Sequence, residues 1–178
     1  MSKVPSDTRR RSSTVEAVRR KALAMGALHA KVVSPQKVFT APWVRLKCQY
    51  GCGGYGSSLR CPPHSPTPDT TRQVLDGYRR AILIHGDQTT DITRIVCDLE
   101  REAFLGGFYK AFGFASGPCQ LCDECAFDEG CRHPERARPA MEASGIDVFR
   151  TVREAGLPIE VVTGRDCEQN YYGLLLLE

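Results

Sequence analysis

The chain has 178 residues, of which 42% are apolar, 25% charged and 8% aromatic. This composition excludes disorder as the main state and is typical of one globular domain. A domain of this size buries roughly 70% of the surface that its unfolded chain exposes, so it needs no cross-links to hold a core. The nine cysteines therefore need another explanation, and an odd number cannot all pair in disulfides.

The formal net charge of +3 is unevenly distributed along the chain. Residues 1–21 hold seven basic and two acidic side chains, which leaves 17 basic and 19 acidic residues for the rest, a net charge of −2. This acidic body disfavours a nucleic-acid groove. No apolar segment suited to an export signal follows the basic start, and no apolar run is long enough to span a bilayer. We therefore expect a cytoplasmic protein without membrane contact, where thiols stay reduced and grouped cysteines indicate metal binding.

Two regions are predicted at the start of the chain. Residues 1–12 are polar and basic and predict a flexible arm, which leaves residues 13–178 as a single domain. Ser13 followed by Glu16 is a capping-box pattern, and apolar residues then recur at helical spacing. The pattern predicts a first helix that ends near Ala27.

The rest of the chain alternates between strand-like and helix-like patterns. β-branched and aromatic residues from Ala30 to Cys48, including residues 43–46, predict an interrupted strand or a hairpin. Later elements are predicted as a helix after residue 69, a strand at 81–84, a helix capped by Thr89 or Thr90, a strand at 108–114, helices starting at Pro139 and Asp147, and strands at 159–162 and 171–177. The sum predicts a mixed-sheet domain, α/β or α+β, with cysteine-rich loops at 48–69 and 117–135.

The second cysteine window has the spacing C-x2-C-x2-C-x5-C, formed by Cys119, Cys122, Cys125 and Cys131. Three thiolates at successive x2 spacing can wrap one compact inorganic core. The bacterial ferredoxin run differs from this window in its last spacing. A structural zinc site is the alternative, although zinc ligands usually form two pairs separated by a longer loop. The window therefore favours an iron–sulfur cluster.

The first cysteine window has the spacing C-x3-C-x8-C and consists of Cys48, Cys52 and Cys61. The glycines between its cysteines let the backbone approach a bulky ligand, and Pro62 stiffens the exit. A flexible glycine-rich loop with scattered buried thiols is the alternative. Long unorganised loops are uncommon in compact domains, which favours the ligand interpretation.

Two cubane clusters would need eight ligands, and the two windows supply seven. The eighth could be Cys167 or Cys97, or a histidine such as His64 or His133. Alternatively, one iron remains open to solvent or substrate. The sequence leaves these alternatives open.

Several phrases of the sequence, taken in order, resemble an uncharacterised family of small predicted metal-binding proteins of archaea and anaerobic bacteria. These phrases are Arg45-Leu-Lys-Cys48, Cys61-Pro-Pro, the second window, Cys131-Arg-His-Pro, Ala137-Arg-Pro-Ala-Met-Glu-Ala143 and Gly156-Leu-Pro-Ile159. The resemblance extends from about Arg45 to the C-terminus. It implies that the seven window cysteines are the ligand set, and it implies no settled activity.

Three functions are consistent with these patterns. The leading one is an iron–sulfur electron-transfer protein with one or two [4Fe-4S] clusters and a reductase or other redox partner protein, in which Phe108, Phe112 and Phe114 shield the cluster. The second is a reductive or sulfur-handling enzyme with an open iron on the Cys48, Cys52 and Cys61 cluster, where Arg60 would orient a small anionic substrate. The third is a zinc-binding module that docks nucleic acid or a partner through the basic N-terminal helix.

Overall fold

The computed structural model describes residues 7–164 and 166–178, with side chains from residue 15 onward. The prediction of a flexible arm therefore lies partly outside the described residues. The helices are α1 (Asp7–Ala24), α2 (Pro42–Gly51), α3 (Pro68–Asp76), α4 (Ile92–Leu105) and α5 (Val148–Glu154). The strands are β1 (His29–Val33), β2 (Ala81–Gly86), β3 (Phe112–Phe114) and β4 (Tyr171–Leu176). None of the helices in this part of the chain has the length and apolarity required to cross a membrane.

The four strands form one sheet in the order β1-β2-β4-β3, and all neighbouring strands are antiparallel. Strands β2 and β4 occupy the centre, where Leu83 pairs with Leu174. Their continuous apolar runs are buried on both faces, as expected for central strands covered by helices. The architecture is a mixed α+β fold in one domain, which confirms the predicted fold class.

Two apolar cores cover the two faces of the sheet. On one face, Ile82 and Ile84 of β2 pack with buried residues of α1 and α4. On the other face, Leu83 of β2 packs with residues of α3, α5 and the segment after Pro139. Alternate residues of β2 therefore enter opposite cores, as the strand period of two requires.

Helix α4 approaches the sheet closely because two glycines face it. A Cβ atom on Gly113 of β3 would lie 2.3 Å from Val96 Cγ1, and one on Gly173 of β4 would lie 2.7 Å from Val96 Cγ2. Both distances are far shorter than van der Waals contact. Glycine at these two positions lets Val96 press against the sheet.

The prediction of a strand at residues 43–46 is wrong. These residues lie in α2, which begins with Pro42 at a first-turn position that suits proline. Val44 faces inward while Trp43 and Leu46 are exposed, so the pattern is that of an amphipathic helix. Cys48 consequently lies on a helix and not in a loop.

Other element boundaries also differ from the predictions. Helix α1 begins at Asp7 and not at Ser13, and α4 is capped by the Asp91 side chain and not by Thr89 or Thr90. The helix expected from Pro139 is only a short 3-10 turn at Glu142–Ser144. Residues 108–111 lie outside β3, and residues 159–162 form no strand.

Candidate metal centre

Helix α2 carries Cys48, the first cysteine of the first window, on its inner face. Its exposed face carries Trp43, Leu46 and Tyr50, and the opposite face carries Val44 and Cys48. The Cys48 thiol is partly buried and contacts the Glu142 carbonyl oxygen at 4.0 Å. The helix ends at Gly51, and the chain continues as turns through the exposed Cys52 and the buried Cys61.

Arg45 fixes α2 against the end of this window. Its guanidinium donates to the carbonyl oxygens of Pro66 at 2.7 Å and Ala143 at 3.0 Å, and it contacts Ser65 at 3.3 Å. A guanidinium suits this position because its donors can bind several carbonyl oxygens together. The side chain therefore joins α2, the exit of the first window and the turn at Glu142–Ser144.

The second window contains no helix or strand and is anchored at its two ends. At the start, Ala115 forms a parallel bridge opposite Ala140: its amide donates to the Pro139 carbonyl oxygen, and its carbonyl oxygen accepts from the Met141 amide. At the end, Arg138 binds the Glu100 carboxylate of α4 with two N···O distances of 2.6 Å. The four cysteines between these anchors are partly buried or exposed.

The two windows contact each other directly. The Leu59 amide donates to Cys125 Sγ at 3.4 Å, and the His64 ring lies 5.0 Å from the Phe127 ring. The Arg60 guanidinium also donates through Nε to the Arg138 carbonyl oxygen. The structure thus brings together loops that are far apart in the sequence.

Backbone amides donate to three of the window sulfurs. Besides the Leu59 donor to Cys125, the Gly54 amide lies 3.4 Å from Cys52 Sγ and the His133 amide lies 3.4 Å from Cys131 Sγ. Hydrogen bonds to a sulfur favour its ionised form, and they tune the potential of a thiolate-bound cluster.

The thiols of the first window lie close enough to interact electrostatically. Burial raises the pKa of the Cys48 thiol, the nearby Cys52, Glu142 and Cys61 raise it further, and Arg45 lowers it. Burial also raises the pKa of the Glu142 carboxyl. No cysteine spacing or local pattern predicts Glu142 as a neighbour of Cys48. Its only signal was the Arg-Pro-Ala-Met-Glu-Ala phrase that contains it.

No three histidine, cysteine or acidic side chains in the described part of the chain converge closely enough to hold a metal ion. Thiolates around one zinc would stand about 3.8 Å apart, given Zn–S bonds of about 2.3 Å in a tetrahedral site. The donor set itself fits a thiolate-bound centre, since seven cysteines with no disulfide lie in two contacting windows. An iron–sulfur cluster is larger than a single zinc ion, so its thiolate ligands lie farther apart than about 3.8 Å.

The structure places the four candidates for an eighth ligand differently. The Cys97 thiol is buried and donates at 3.2 Å to the carbonyl oxygen of Arg136, which is close in sequence to Cys131 of the second window. The Cys167 thiol instead contacts Thr163 Oγ1 at 3.6 Å. The His64 ring lies against the Phe127 ring at a tilt of 41°, and His133, which is partly buried, is separated from Cys131 by Arg132.

A family comparison adds to these observations. Residues 31–177 match the model of the family described as predicted metal-binding protein, DUF2284. The chain belongs to this family. No curated protein and no solved structure matches the chain significantly.

Membership in DUF2284 confirms the metal-binding part of the resemblance noted in the sequence. The family description specifies neither the metal nor its ligands, so the assignment of seven cysteine ligands stays a prediction. The matched range includes both cysteine windows and Cys97.

Proposed function

We propose that this DUF2284 protein is an iron–sulfur protein that transfers single electrons, with one or two [4Fe-4S] clusters as its cofactor. The proposed ligands are Cys48, Cys52, Cys61, Cys119, Cys122, Cys125 and Cys131. Bound to thiolates, such clusters accept and release single electrons over a potential range that the surrounding protein sets.

The contact between the Leu59 amide and Cys125 Sγ, at 3.4 Å, is the observation that carries this proposal. It joins the two windows, and it has the geometry by which a protein stabilises cluster-bound thiolates. The Gly54 and His133 amides make the same kind of contact with Cys52 and Cys131. Such donors stabilise thiolates on zinc as well as on a cluster, and the C-x2-C-x2-C-x5-C spacing is what favours the cluster.

The aromatic residues expected to shield a cluster occupy other positions. Phe108 and Phe114 are buried in the two apolar cores, and Phe112 lies under the Arg138 guanidinium. Phe127 and His64 are the rings found between the two windows. These two side chains are therefore better placed to limit the access of water to the sulfurs.

We further propose that the exposed face of α2 receives an acidic redox partner protein. Trp43, Leu46 and Tyr50 form an apolar stripe on this face, and Lys47 lies among them. Arg150 lies beside Trp43 across a shallow groove and adds positive charge. The two acids of this groove are engaged, since Glu154 pairs with Lys37 and Asp147 caps α5. Cys48 is on the same helix, which keeps the electron path short. Complementary charge steers such encounters and raises their rate.

Anaerobic purification with iron and sulfide analysis tests the cofactor. We expect a brown protein with about four irons per chain for one cluster or about eight for two. Cys125→Ser should remove a large part of the iron and sulfide, whereas Cys167→Ser should retain both, because the contacts of Cys167 among the described residues are with Thr163 and Gly164 of its own turn. A colourless protein that holds zinc and no sulfide would refute the proposal.

A matched pair of variants tests the docking face. Tyr50 and Tyr109 are both 80% exposed, but only Tyr50 lies on α2. Tyr50→Ser should slow reduction by a small acidic ferredoxin several-fold, and Tyr109→Ser should not change it. Lys47→Glu should reduce the dependence of this rate on ionic strength. Equal rates for the two tyrosine variants would refute this docking face.

The reductive or sulfur-handling enzyme remains the second candidate, favoured by the three cysteines of the first window. Three thiolates leave one iron of a cubane without a protein ligand, and a small anionic substrate could bind there. Mössbauer spectra should then show one iron site that shifts when such a substrate is added. If no site shifts, the first window serves electron transfer alone.

The docking of nucleic acid through α1 is a weaker candidate. Arg19 contacts Glu16, and Lys21 lies 3.3 Å from Glu102 of α4. These charges are thus partly neutralised within the protein. Salt-sensitive DNA or RNA binding that is lost on removal of residues 1–21 would support this function.

A further inference from the structure

A cleft of about 620 Å³ lies beside the second cysteine window. One wall is the first half of α4, with Thr93 and Cys97, and the other is the start of the window at residues 116–121. Arg60 and Arg136 also line it. The volume is typical of a site for a small organic ligand.

Arg60 is a buried cation on the inner wall of this cleft, with only 5% of its surface exposed. Its Nε donates to the Arg138 carbonyl oxygen, and Nη2 lies 3.5 Å from Thr93 Oγ1. Both acceptors are neutral. Within the described ranges, no carboxylate lies within ion-pair distance of Arg60, and the nearby Glu100 is bound by Arg138. Three of the five guanidinium N–H groups therefore have no protein acceptor in this part of the chain.

The unused donors of Arg60 keep access to the cleft. Fully buried side-chain nitrogen and oxygen atoms without a partner are found, among the residues described, only at Ser58 and Ser144. The free guanidinium nitrogen is consequently not sealed inside the protein. Because Arg60 lines the cleft, we infer that this nitrogen opens into it.

The acidic side chains along the cleft already have partners. Asp87 accepts hydrogen bonds from Thr89 and Thr90, and the Asp91 carboxylate caps α4 by accepting from the Arg94 amide. Asp98 lies 3.6 Å from the Arg94 guanidinium. None of these acids neutralises Arg60, and Arg136 adds a second cation to the wall.

We propose that this cleft binds a small oxyanion, carboxylate or phosphate in type, on the Arg60 guanidinium. Burying an arginine without a counter-ion is costly, and a bidentate oxyanion would satisfy both its charge and its free donors. Thr93 Oγ1 lies next to the same guanidinium and could add a hydrogen bond to the anion. This site differs from the open iron considered above, because it does not depend on the metal.

The counter-charge of Arg60 could instead come from the metal–thiolate centre, since Arg60 directly precedes Cys61. The two explanations predict different results for Arg60→Gln. If the metal–thiolate centre neutralises Arg60, the Arg60→Gln variant loses metal or its centre has a changed reduction potential. Its affinity for anions then equals that of the wild-type protein. If an anion binds there, the affinity falls.

Calorimetric titration of the purified, metal-loaded protein with phosphate, succinate and adenosine monophosphate, at constant ionic strength, tests the site. At least one probe should bind the unchanged protein, and Arg60→Gln should weaken its binding by at least about tenfold. Arg94→Gln, which removes an ion-paired arginine on the rim, should leave the affinity within about twofold. Phosphate and adenosine monophosphate distinguish a free phosphate from a phosphate ester.

A second measurement uses the unchanged protein, in case Arg60→Gln does not fold. Cys97 lies on the same wall, so the bound probe should slow alkylation of Cys97 by N-ethylmaleimide, mapped by mass spectrometry, and should not affect Cys167. Absence of binding by all three probes at millimolar concentration, or equal affinities of the Arg60→Gln variant and the unchanged protein, would overturn the proposal. Neither result depends on whether the protein holds iron or zinc. Failure of the anion site therefore leaves the iron–sulfur proposal unaffected, and the reverse also holds.

Discussion

Arg138 and Glu100 form a bidentate ion pair that fastens the end of the second cysteine window to α4. Both side chains are largely buried, and Glu100 Oε2 also accepts a hydrogen bond from the Gly113 amide at 2.8 Å. One carboxylate thus joins a helix, a strand and the second cysteine window.

Removing this carboxylate should destabilise the protein strongly. Glu100→Ala leaves the Arg138 charge and the Gly113 amide without their acceptor, so we expect a loss of about 3 kcal/mol in the free energy of unfolding. Asp98→Ala removes an exposed carboxylate from the same helix and should cost less than about 1 kcal/mol. Urea denaturation of the two variants gives the comparison, and similar losses would contradict a structural role of this pair.

Much of the sheet was predictable because its central strands are apolar throughout. Two apolar runs are buried, the one at residues 81–84 and the one in β4 that contains Leu174 and Leu175. Apolar runs of this length predict buried strands. Residues 159–162 carry the same β-branched signal but form no strand. Val161 and Val162 are 61% and 51% exposed. In the described part of the chain they have no neighbouring strand to pair with, and the local sequence cannot indicate this.

The candidate site was predictable in composition but not in arrangement. The cysteine spacings identify the two windows without any knowledge of the fold. The Leu59–Cys125 contact and the proximity of Cys97 to Arg136 depend on how α4 and both loops pack, which no local pattern reports. The helical position of Cys48 was missed because Trp43 and Val44 suggested a strand, whereas Pro42 and the burial of Val44 stabilise a helix.

His85 should make the stability of the protein dependent on pH. It lies between the His29 and Tyr172 rings, and its Nε2 is 2.7 Å from Asn170 Oδ1. Nε2 therefore carries the proton, and Nδ1 accepts from His29 Nδ1 at 2.8 Å. Burial, the largest influence, lowers the pKa of His85, and the hydrogen bond to Asn170 opposes this shift.

The sign of the pH effect follows from this lowered pKa. Below its usual pKa of about 6.5, the unfolded chain binds a proton at His85 more readily than the folded chain, so stability is complete above that pH and falls as the pH decreases. His85→Gln should flatten the decline between pH 7.5 and 5.5 in urea denaturation. Metal content must be the same at every pH measured. An unchanged slope in the variant would contradict this role.

The close packing of Val96 against two glycines gives a third prediction. Gly113→Ala would place a methyl group 2.3 Å from Val96 Cγ1 and should cost about 1 to 3 kcal/mol through overpacking. A Cβ at Gly164 meets no atom of the described residues within 4 Å, so Gly164→Ala should change stability little. The second substitution Val96→Ala should recover part of the loss in the Gly113→Ala variant. If the stability losses of Gly113→Ala and Val96→Ala, measured by thermal unfolding, simply add in the double variant, contact with Val96 does not cause the loss in Gly113→Ala.

Removal of the metal should loosen the cysteine windows and leave the sheet folded. Residues 117–135 contain no helix or strand, and neither apolar core includes a residue of the two windows. We therefore expect amide hydrogen exchange in peptides covering 117–135 to accelerate by at least about tenfold after anaerobic chelation. Peptides covering β2 and β4 should exchange as before, because both strands are held between the two cores. Loss of protection in β2 and β4 as well would instead show that metal binding and folding of the whole domain are coupled.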